Sequence, residues 1–284
     1  MLTLPKAFIF GTGTTGKSLI SKVSKQYQVM GFFDNDVSKW GGDIEGFPIY
    51  NPNLLVEMDY DVVIIASFTG LAPITKQLMD LGVRRENIIS EHVALSVESR
   101  VVFLEKLAIL FEDESIQGCV AEGGVLQVEF AKEINRVFPT RKFYLFDTFS
   151  GFDERDISIE KKHFYSESDS GHFNITSEEL VKSKLTYPDV CIIRKGYFPD
   201  STKGINEAFC FVNLDFDLYQ PTLSGLEYFI PRMVKGGVIL IHDYFSEGYK
   251  GVKEAVKDFG SKNGKLPLFP IGDGLSIGIY CLYN

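Results

Sequence analysis

The sequence predicts an α/β protein made of two Rossmann-like parallel sheets, a smaller one in residues 1–95 and a larger one in residues 96–284. Three observations carry that prediction. Short apolar runs alternate with stretches of helical period along most of the chain, glycines fall where the first strand of each series ends, and acids recur at the ends of the later strands.

The length of 284 residues suits about two domains of roughly 100 to 200 residues each. An apolar share of 45% with 24% charged residues belongs to an ordinary globular chain and excludes a disordered or fibrous one. The net charge of −9 repels phosphate backbones and anionic lipid, and no Lys/Arg cluster offsets it, so neither nucleic acid nor a membrane is expected as partner. Cys119, Cys191, Cys210 and Cys281 stand far apart without a Cys-x-x-Cys pair, and the expectation is four buried thiols. The opening MLTLPKAFIFG enters a strand and a glycine turn with no signal-peptide pattern, and no segment approaches the ~20 apolar residues of a membrane span. A cytoplasmic protein is expected. A homo-oligomer stays open, since nothing in the sequence fixes the oligomeric state.

In the first series AFIFG, QVMGFFDND and DVVIIAS are strands, and TTGKSLISKVSK and LAPITKQLMDLG are helices, which is the order of a small βαβ unit. The segment Val97 to Phe111 has apolar residues at helical spacing and joins the two units, with the boundary near residue 95. The second series follows: strand GCVAEGG, helix QVEFAKEINRVF, and strands KFYLFDTF, DVCIIRKG and AFCFVNLDFD. A helix from Pro221 to Met233, strand GGVILIHDY and helix GVKEAVKDFG come next, and two final strands, LPLFPIG and GLSIGIYCLY, close the chain. Five strands of βα type end in an antiparallel pair. Between them, Ser150 to Ser177 is polar, carries His163 and His172, and has no clear period, so a surface loop or a lid is expected.

Gly11-Thr12-Gly13-Thr14-Thr15-Gly16 follows a strand and opens a helix, and Asp34 ends the next strand. That is the context of a nucleotide fingerprint, with glycines admitting a diphosphate to the helix N-terminus and Asp34 taking a ribose hydroxyl. Equally, a parallel βα turn favours glycine for its own sake, and Asp34 starts a loop. The stretches FIFGTGTTGKSL, VMGFFDND and GFPIY resemble the small nucleotide-binding domain of sugar-modifying enzymes such as sialic acid and bacillosamine acetyltransferases. An NAD(P)-dependent dehydrogenase or a nucleotide-sugar-binding protein is the alternative. The module lacks a second mononucleotide half, and the only Tyr-x-x-x-Lys match, Tyr249 to Lys253, lies in the other unit.

In the larger unit the chemistry gathers at the carboxyl ends of the strands. Glu122-Gly123-Gly124 ends the first and Asp147-Thr148 the second, while Gly196-Tyr197 follows the third. Asp215, in NLDFD, closes the fourth, and His242-Asp243 closes the fifth. Glycine there permits close approach of a cofactor, an acid receives ribose hydroxyls, and grouped carboxylates bind a hard cation or act as a base.

The ordered set VAEGGV, YLFDTFSGF, KGYFPDS, LDFDLYQPT and GGVILIHDY resembles the macrocin O-methyltransferase family over residues 118–260. The family methylates sugar hydroxyls on macrolides. The resemblance implies a class I methyltransferase sheet with S-adenosylmethionine as donor and a saccharide or nucleotide-linked sugar as acceptor. It further implies a divalent ion, commonly Mg²⁺, held at Asp215, His242 and Asp243. Cofactor contacts are expected at Glu122, Gly123, Gly124, Asp147, Thr148, Gly196, Tyr197 and Asp215, and catalysis at Asp215 and His242. Two positions depart from the pattern. Val128 stands where the family has the second glycine of the first turn, which is expected to narrow the cofactor pocket. His242 stands where the macrolide enzymes carry an acid, and an imidazole suits zinc, manganese or iron better than magnesium, so His242 is expected equally as a ligand or as a base, with a structural hydrogen-bonding role third.

Overall fold

The computed structural model describes residues 4–67 and 70–282. The chain divides into two compact units, residues 1–98 and 99–284.

In the first unit the apolar runs become β1 (Lys6–Phe10), β2 (Gln28–Phe33) and β5 (Val62–Ile65), interleaved with α1 (Thr14–Val23) and α2 (Leu71–Asp80). These strands are apolar along their length because both sheet faces are covered. Ile9, Phe32 and Ile64 pack in one core and Phe8, Phe10, Phe33, Val63 and Ile65 in the other. Three short strands were not anticipated: the antiparallel pair β3 (Asp43–Ile44) and β4 (Phe47–Tyr50), and β6 (Ile88–Ile89). Two to four residues give no measurable period. The sheet order is β3-β4-β2-β1-β5-β6.

The joining helix, α3 (Glu91–Asp113), begins six residues before the expected Val97. In the second unit β7 (Cys119–Gly123), β8 (Phe143–Asp147), β9 (Cys191–Lys195), β10 (Phe209–Leu214) and β11 (Met233–Ile241) are parallel. The antiparallel strands β12 (Leu268–Pro270) and β13 (Ile277–Tyr280) complete a seven-stranded sheet of order β12-β13-β11-β10-β7-β8-β9. Tyr283, at the end of the expected last strand, lies outside the described residues. The helices are α4 (Ala131–Val137), α5 (Glu154–His163), α6 (Glu178–Lys184), α7 (Tyr219–Phe229) and α8 (Lys250–Asn263). One core holds Phe146, Phe209, Phe229 and Ile239, and the other Phe111, Phe138, Phe143 and Phe211.

Three expectations need correction. The helical period of Gln127 to Phe138 yields only α4, because Val128 takes φ +73° and turns the chain. The polar stretch Ser150 to Ser177 is not all loop: Asp153 caps α5 by accepting from the Arg155 amide, and Asp156, Ile157 and Glu160 are buried on its inner face. Among the cysteines Cys119, Cys210 and Cys281 are buried, but Cys191 is only half-buried on the edge strand. Among the described residues no helix is long and apolar enough to cross a membrane.

Candidate active site

Every residue expected to bind the cofactor or an ion in the second unit lies along the carboxyl edge of its sheet. The register forces this: Gly123 aligns with Leu214 and Phe146, and Asp147 with Lys195, while the His242 amide donates to the Leu214 carbonyl at 2.9 Å.

The first turn is built for close approach. Gly124 has φ +81°, and a Cβ on it would stand 2.0 Å from the Asp215 carbonyl oxygen. A Cβ on Gly123 would stand 2.1 Å from the Phe216 ring. The two glycines thus let the turn after β10 lie directly against the turn after β7. Val128 keeps the left-handed backbone of the glycine it replaces, at strain for a β-branched residue, and its side chain is wholly buried with Leu104 and Phe211. It points into the core, which corrects the expectation of a narrowed pocket.

Asp147 fixes that turn. Its Oδ2 accepts from the amides of Val125 at 2.9 Å and Leu126 at 3.1 Å, and its Oδ1 from Phe149 at 2.7 Å. One lone pair on Oδ1 remains for a hydroxyl donor. Thr148 donates to the Gly151 carbonyl at 2.7 Å. Gly196, at φ +135°, donates its amide to the Asp147 carbonyl at 2.9 Å. The Tyr197 ring lies 3.6 Å below the Arg155 guanidinium, and its hydroxyl donates to Asp156 at 2.8 Å.

Glu122 is 2% exposed; its Oε1 accepts from the Asn213 amide at 2.8 Å, while Oε2 is buried without a hydrogen-bond partner. Burial first, then the nearby Asp215, pushes its carboxyl well above the ordinary range, only partly offset by Asn213 and Arg100.

At the ends of β10 and β11, ligand atoms of Asp215, Asp217, His242 and Asp243 lie within 4.8 Å of one another. His242 Nδ1 sits 3.0 Å from Asp215 Oδ1 and 2.8 Å from Asp243 Oδ2. Burial alone would lower the imidazole, but the two carboxylates outweigh it and raise it to about 10. Burial would likewise raise Asp243, yet His242 brings it down to about 2. Asp217 is driven the other way, well above the ordinary range, by burial and then by Asp243 and Asp215. Asp217 and Asp243 also hold left-handed backbone, at φ +63° and +57°. Strain of about 1 to 3 kcal/mol at such residues persists only where the surroundings fix it, as at functional sites.

Two residues of this site were not picked out from sequence. Asp217 was visible in LDFD, as a second acid two residues after Asp215. Arg100, which precedes the apolar run Val101–Leu104 of α3, places Nη2 3.4 Å from Asp215 Oδ2 and stacks 4.1 Å over the Phe130 ring. It balances part of the acidic cluster. Two acids at adjacent strand ends therefore do not by themselves demand a bound cation, because the Arg100 guanidinium already stands beside Asp215.

The donor set still fits a divalent ion: three carboxylates and one imidazole at one point offer enough hard and borderline ligands for four protein contacts. The glycine turn, the open lone pair of Asp147 and the unpartnered Glu122 oxygen fit a nucleoside cofactor that carries a polar tail.

The model of the macrocin-O-methyltransferase (TylF) family matches residues 98–273, more than half of the chain. The chain belongs to that family. As a macrocin O-methyltransferase family member it is an S-adenosylmethionine-dependent O-methyltransferase. The sheet agrees with solved structures. One described as the O-methyltransferase NovP has 19% identity and a TM-score of 0.53, with 65% of this chain and 80% of that one covered. Another, described as CalS11, calicheamicin methyltransferase, has 16% identity and a TM-score of 0.50, with 74% and 85% covered. At these identities they establish the class I methyltransferase fold alone. A second family model, described as C2185-like, N-terminal, matches residues 3–89. No curated protein compared with the chain matches it.

In that first unit Gly11 has φ +111°, and a Cβ on Gly16 would meet the Gly11 carbonyl oxygen at 2.0 Å, while Gly13 faces open space. Asp34 is already occupied. Its Oδ2 accepts from the Thr12 amide at 3.0 Å, the Thr12 hydroxyl and Lys39, and its Oδ1 from the Asp36 amide at 2.9 Å.

Proposed function

We propose that this methyltransferase acts on a hydroxyl of a sugar or sugar-containing small molecule, with a divalent ion held by Asp215, Asp217, His242 and Asp243. The observation that carries the reading is the convergence of those four side chains beside the Gly123–Gly124 turn. Membership of a family that methylates sugars on macrolides supports the acceptor class.

When bound, S-adenosylmethionine supplies an electrophilic methyl carbon, and the ion supplies Lewis acidity at the acceptor oxygen. The residues do the positioning. Asp147 clamps the turn after β7 through the Val125 and Leu126 amides, accepts from the Phe149 amide in its own turn, and keeps one lone pair for a ribose hydroxyl. Gly196 and Tyr197 form the neighbouring wall. Asp215 and Asp243 fix His242 between them, and Asp217 completes the set of four side chains that would hold the ion. Orienting the partners accounts for roughly 7 to 11 kcal/mol of barrier in well-aligned systems, whereas a general base adds about 10²- to 10⁴-fold. Geometry is the larger contribution.

The test is methyl transfer from labelled donor to a panel of glycosides and nucleotide sugars, before and after chelation. Transfer to a sugar hydroxyl is expected, abolished by the chelator and restored by Mg²⁺ or Mn²⁺, with S-adenosylhomocysteine affinity unchanged. Full activity in protein shown metal-free by elemental analysis would remove the ion. Methylation of phenols but of no sugar would remove the acceptor class.

For residues 1–95 the Gly11, Gly13 and Gly16 turn, with open space at Gly13, favours a nucleotide-binding module. Binding a ribose would require Asp34 to release Thr12 or Lys39. A melting shift with uridine nucleotides or NAD supports this reading, and none with either ends it.

A further inference from the structure

Two hydroxyl side chains, Ser168 and Tyr249, border the acidic cluster. The place of Ser168 follows from topology. In the sheet β10 lies between β11 and β7, so a segment tied to the loops after β11 and β7 crosses the end of β10, where Asp215 and Asp217 stand. The segment between α5 and α6 is tied in this way. The Tyr165 carbonyl accepts from the Lys250 amide at 3.0 Å after β11, and the Thr176 hydroxyl donates to the Leu126 carbonyl after β7. After β8, the Gly171 amide donates to the Phe152 carbonyl at 2.9 Å and the Phe152 amide to the His172 carbonyl at 3.0 Å. Ser168, 7% exposed, lies midway between Tyr165 and Gly171 on this strap.

Tyr249 comes to the cluster from α8. Gly251 lies so close to the start of α7 that a Cβ on it would stand 2.9 Å from Tyr219 Cβ and 3.1 Å from the Tyr219 amide nitrogen. The residues two positions earlier, Tyr249 and Asp217, are thereby brought close together. Ser168 faces the Tyr249 phenol, and burial first, then Asp217 and Asp243, pushes that phenol above its ordinary range. It stays a neutral donor beside carboxylates. A sugar carries a further hydroxyl on the carbon next to the one that reacts. With the reacting oxygen at Asp215, Asp217, His242 and Asp243, that neighbour comes within reach of a group bordering the cluster, and a neutral donor reads it without competing for the ion.

We propose that Tyr249 and Ser168 set acceptor specificity: the Tyr249 phenol hydrogen-bonds the sugar hydroxyl adjacent to the one methylated, and Ser168, from the strap, holds the phenol in that direction. The inference rests on the sugar-acceptor reading and deepens it. A site built to hydrogen-bond a substrate hydroxyl rejects the analogue that lacks it, because its own polar group is then left unpaired.

The experiment measures kcat/KM for methyl transfer by the full chain to a sugar methylated in the acceptor panel and to deoxy analogues that each lack one hydroxyl beside the methylated position. Wild type is expected to prefer the parent sugar over one of these analogues by about tenfold or more, the effect of leaving a buried hydrogen-bonding group unpaired. Tyr249→Phe should lose activity on the parent, mainly as a raised KM, until it matches that analogue. The variant's activity on the analogue and its affinity for S-adenosylhomocysteine should stay at wild-type values. Ser168→Ala should move the same ratio by a smaller amount. Equal losses on parent and analogues, or no loss on any, in folded protein overturn the assignment, since a merely structural Tyr249 would affect all acceptors alike. If Tyr249→Phe does not fold, Ser168→Ala decides by the same ratio. Wild-type protein that methylates no sugar would instead strike down the acceptor class, and this subsite with it.

Discussion

Asp156 shows how one buried residue reports on the pocket wall. It is 5% exposed, and burial raises its carboxyl from an ordinary 3.8 to about 6, although the Tyr197 hydroxyl donates to it and partly offsets the rise. A folded-state value above the unfolded one means that stability is fully present below about pH 4 and is lost as pH rises through about 6. An amide oxygen can accept from Tyr197 as well. Asp156→Asn should therefore melt higher than wild type above pH 6, with the advantage disappearing near pH 4. A difference that stays constant from pH 4 to 8 would show that Asp156 is not held protonated. At this scale the sequence was most informative for residues at strand ends. Glu122, Gly123, Asp147, His242 and Asp243 stood out because a parallel sheet places such positions along one edge. Arg100 did not, because its partner Asp215 is 115 residues away and no local period links them. Val128 was misleading for a similar reason: replacing a glycine says nothing about which way the new side chain points.

At the scale of elements, α5 has a function that its polar composition concealed. Leu218, at the start of α7, offers no side-chain cap, and Glu160 of α5 takes that place by accepting from the Tyr219 amide at 2.8 Å. A Cβ on Gly251, near the start of α8, would fall 2.8 Å from the same carboxylate oxygen, so a glycine there leaves room for the contact. Tyr165 then stacks on Tyr219 with centroids 5.4 Å apart, and its carbonyl accepts from the Lys250 amide at 3.0 Å. The helices that follow the two acid-bearing turns thus start at one buried carboxylate. Glu160→Ala should cost about 1 to 3 kcal/mol in urea unfolding, the price of a buried amide left unpaired. Glu160→Gln keeps the acceptor and should lose much less. Equal losses in the two variants would mean that packing, and not the hydrogen bond, sets the effect. None of this could be read from sequence, where periodicity marks an element by its own apolar face. Glu160 does its work by touching two other helices, whereas α7, α8 and the five parallel strands were legible from their own patterns.

For the whole molecule the question is which part carries cofactor binding. Each sheet draws all its strands from one unit: the six-stranded sheet ends at Ile89 and the seven-stranded one begins at Cys119. Every side chain assigned to the cofactor or to the ion, from Glu122 to Asp243, lies in residues 99–284. A fragment starting at Glu91, which keeps the whole of α3, should therefore fold and bind S-adenosylhomocysteine as the full chain does. At a ligand concentration of about 100 times Kd, binding contributes roughly 2.7 kcal/mol, and a domain of this size gains about 2 to 4 °C for each kcal/mol. Fragment and full chain should thus both rise by about 5 to 11 °C. Transfer to the acceptor is a separate measurement. A fragment that binds the cofactor yet methylates poorly would assign acceptor contacts to residues 1–90, because the chemistry at Asp215, Asp217, His242 and Asp243 is retained in full. A fragment that folds, judged by a cooperative melt, but gains no stability from S-adenosylhomocysteine would show that the cofactor site is not confined to the strand ends of the larger sheet.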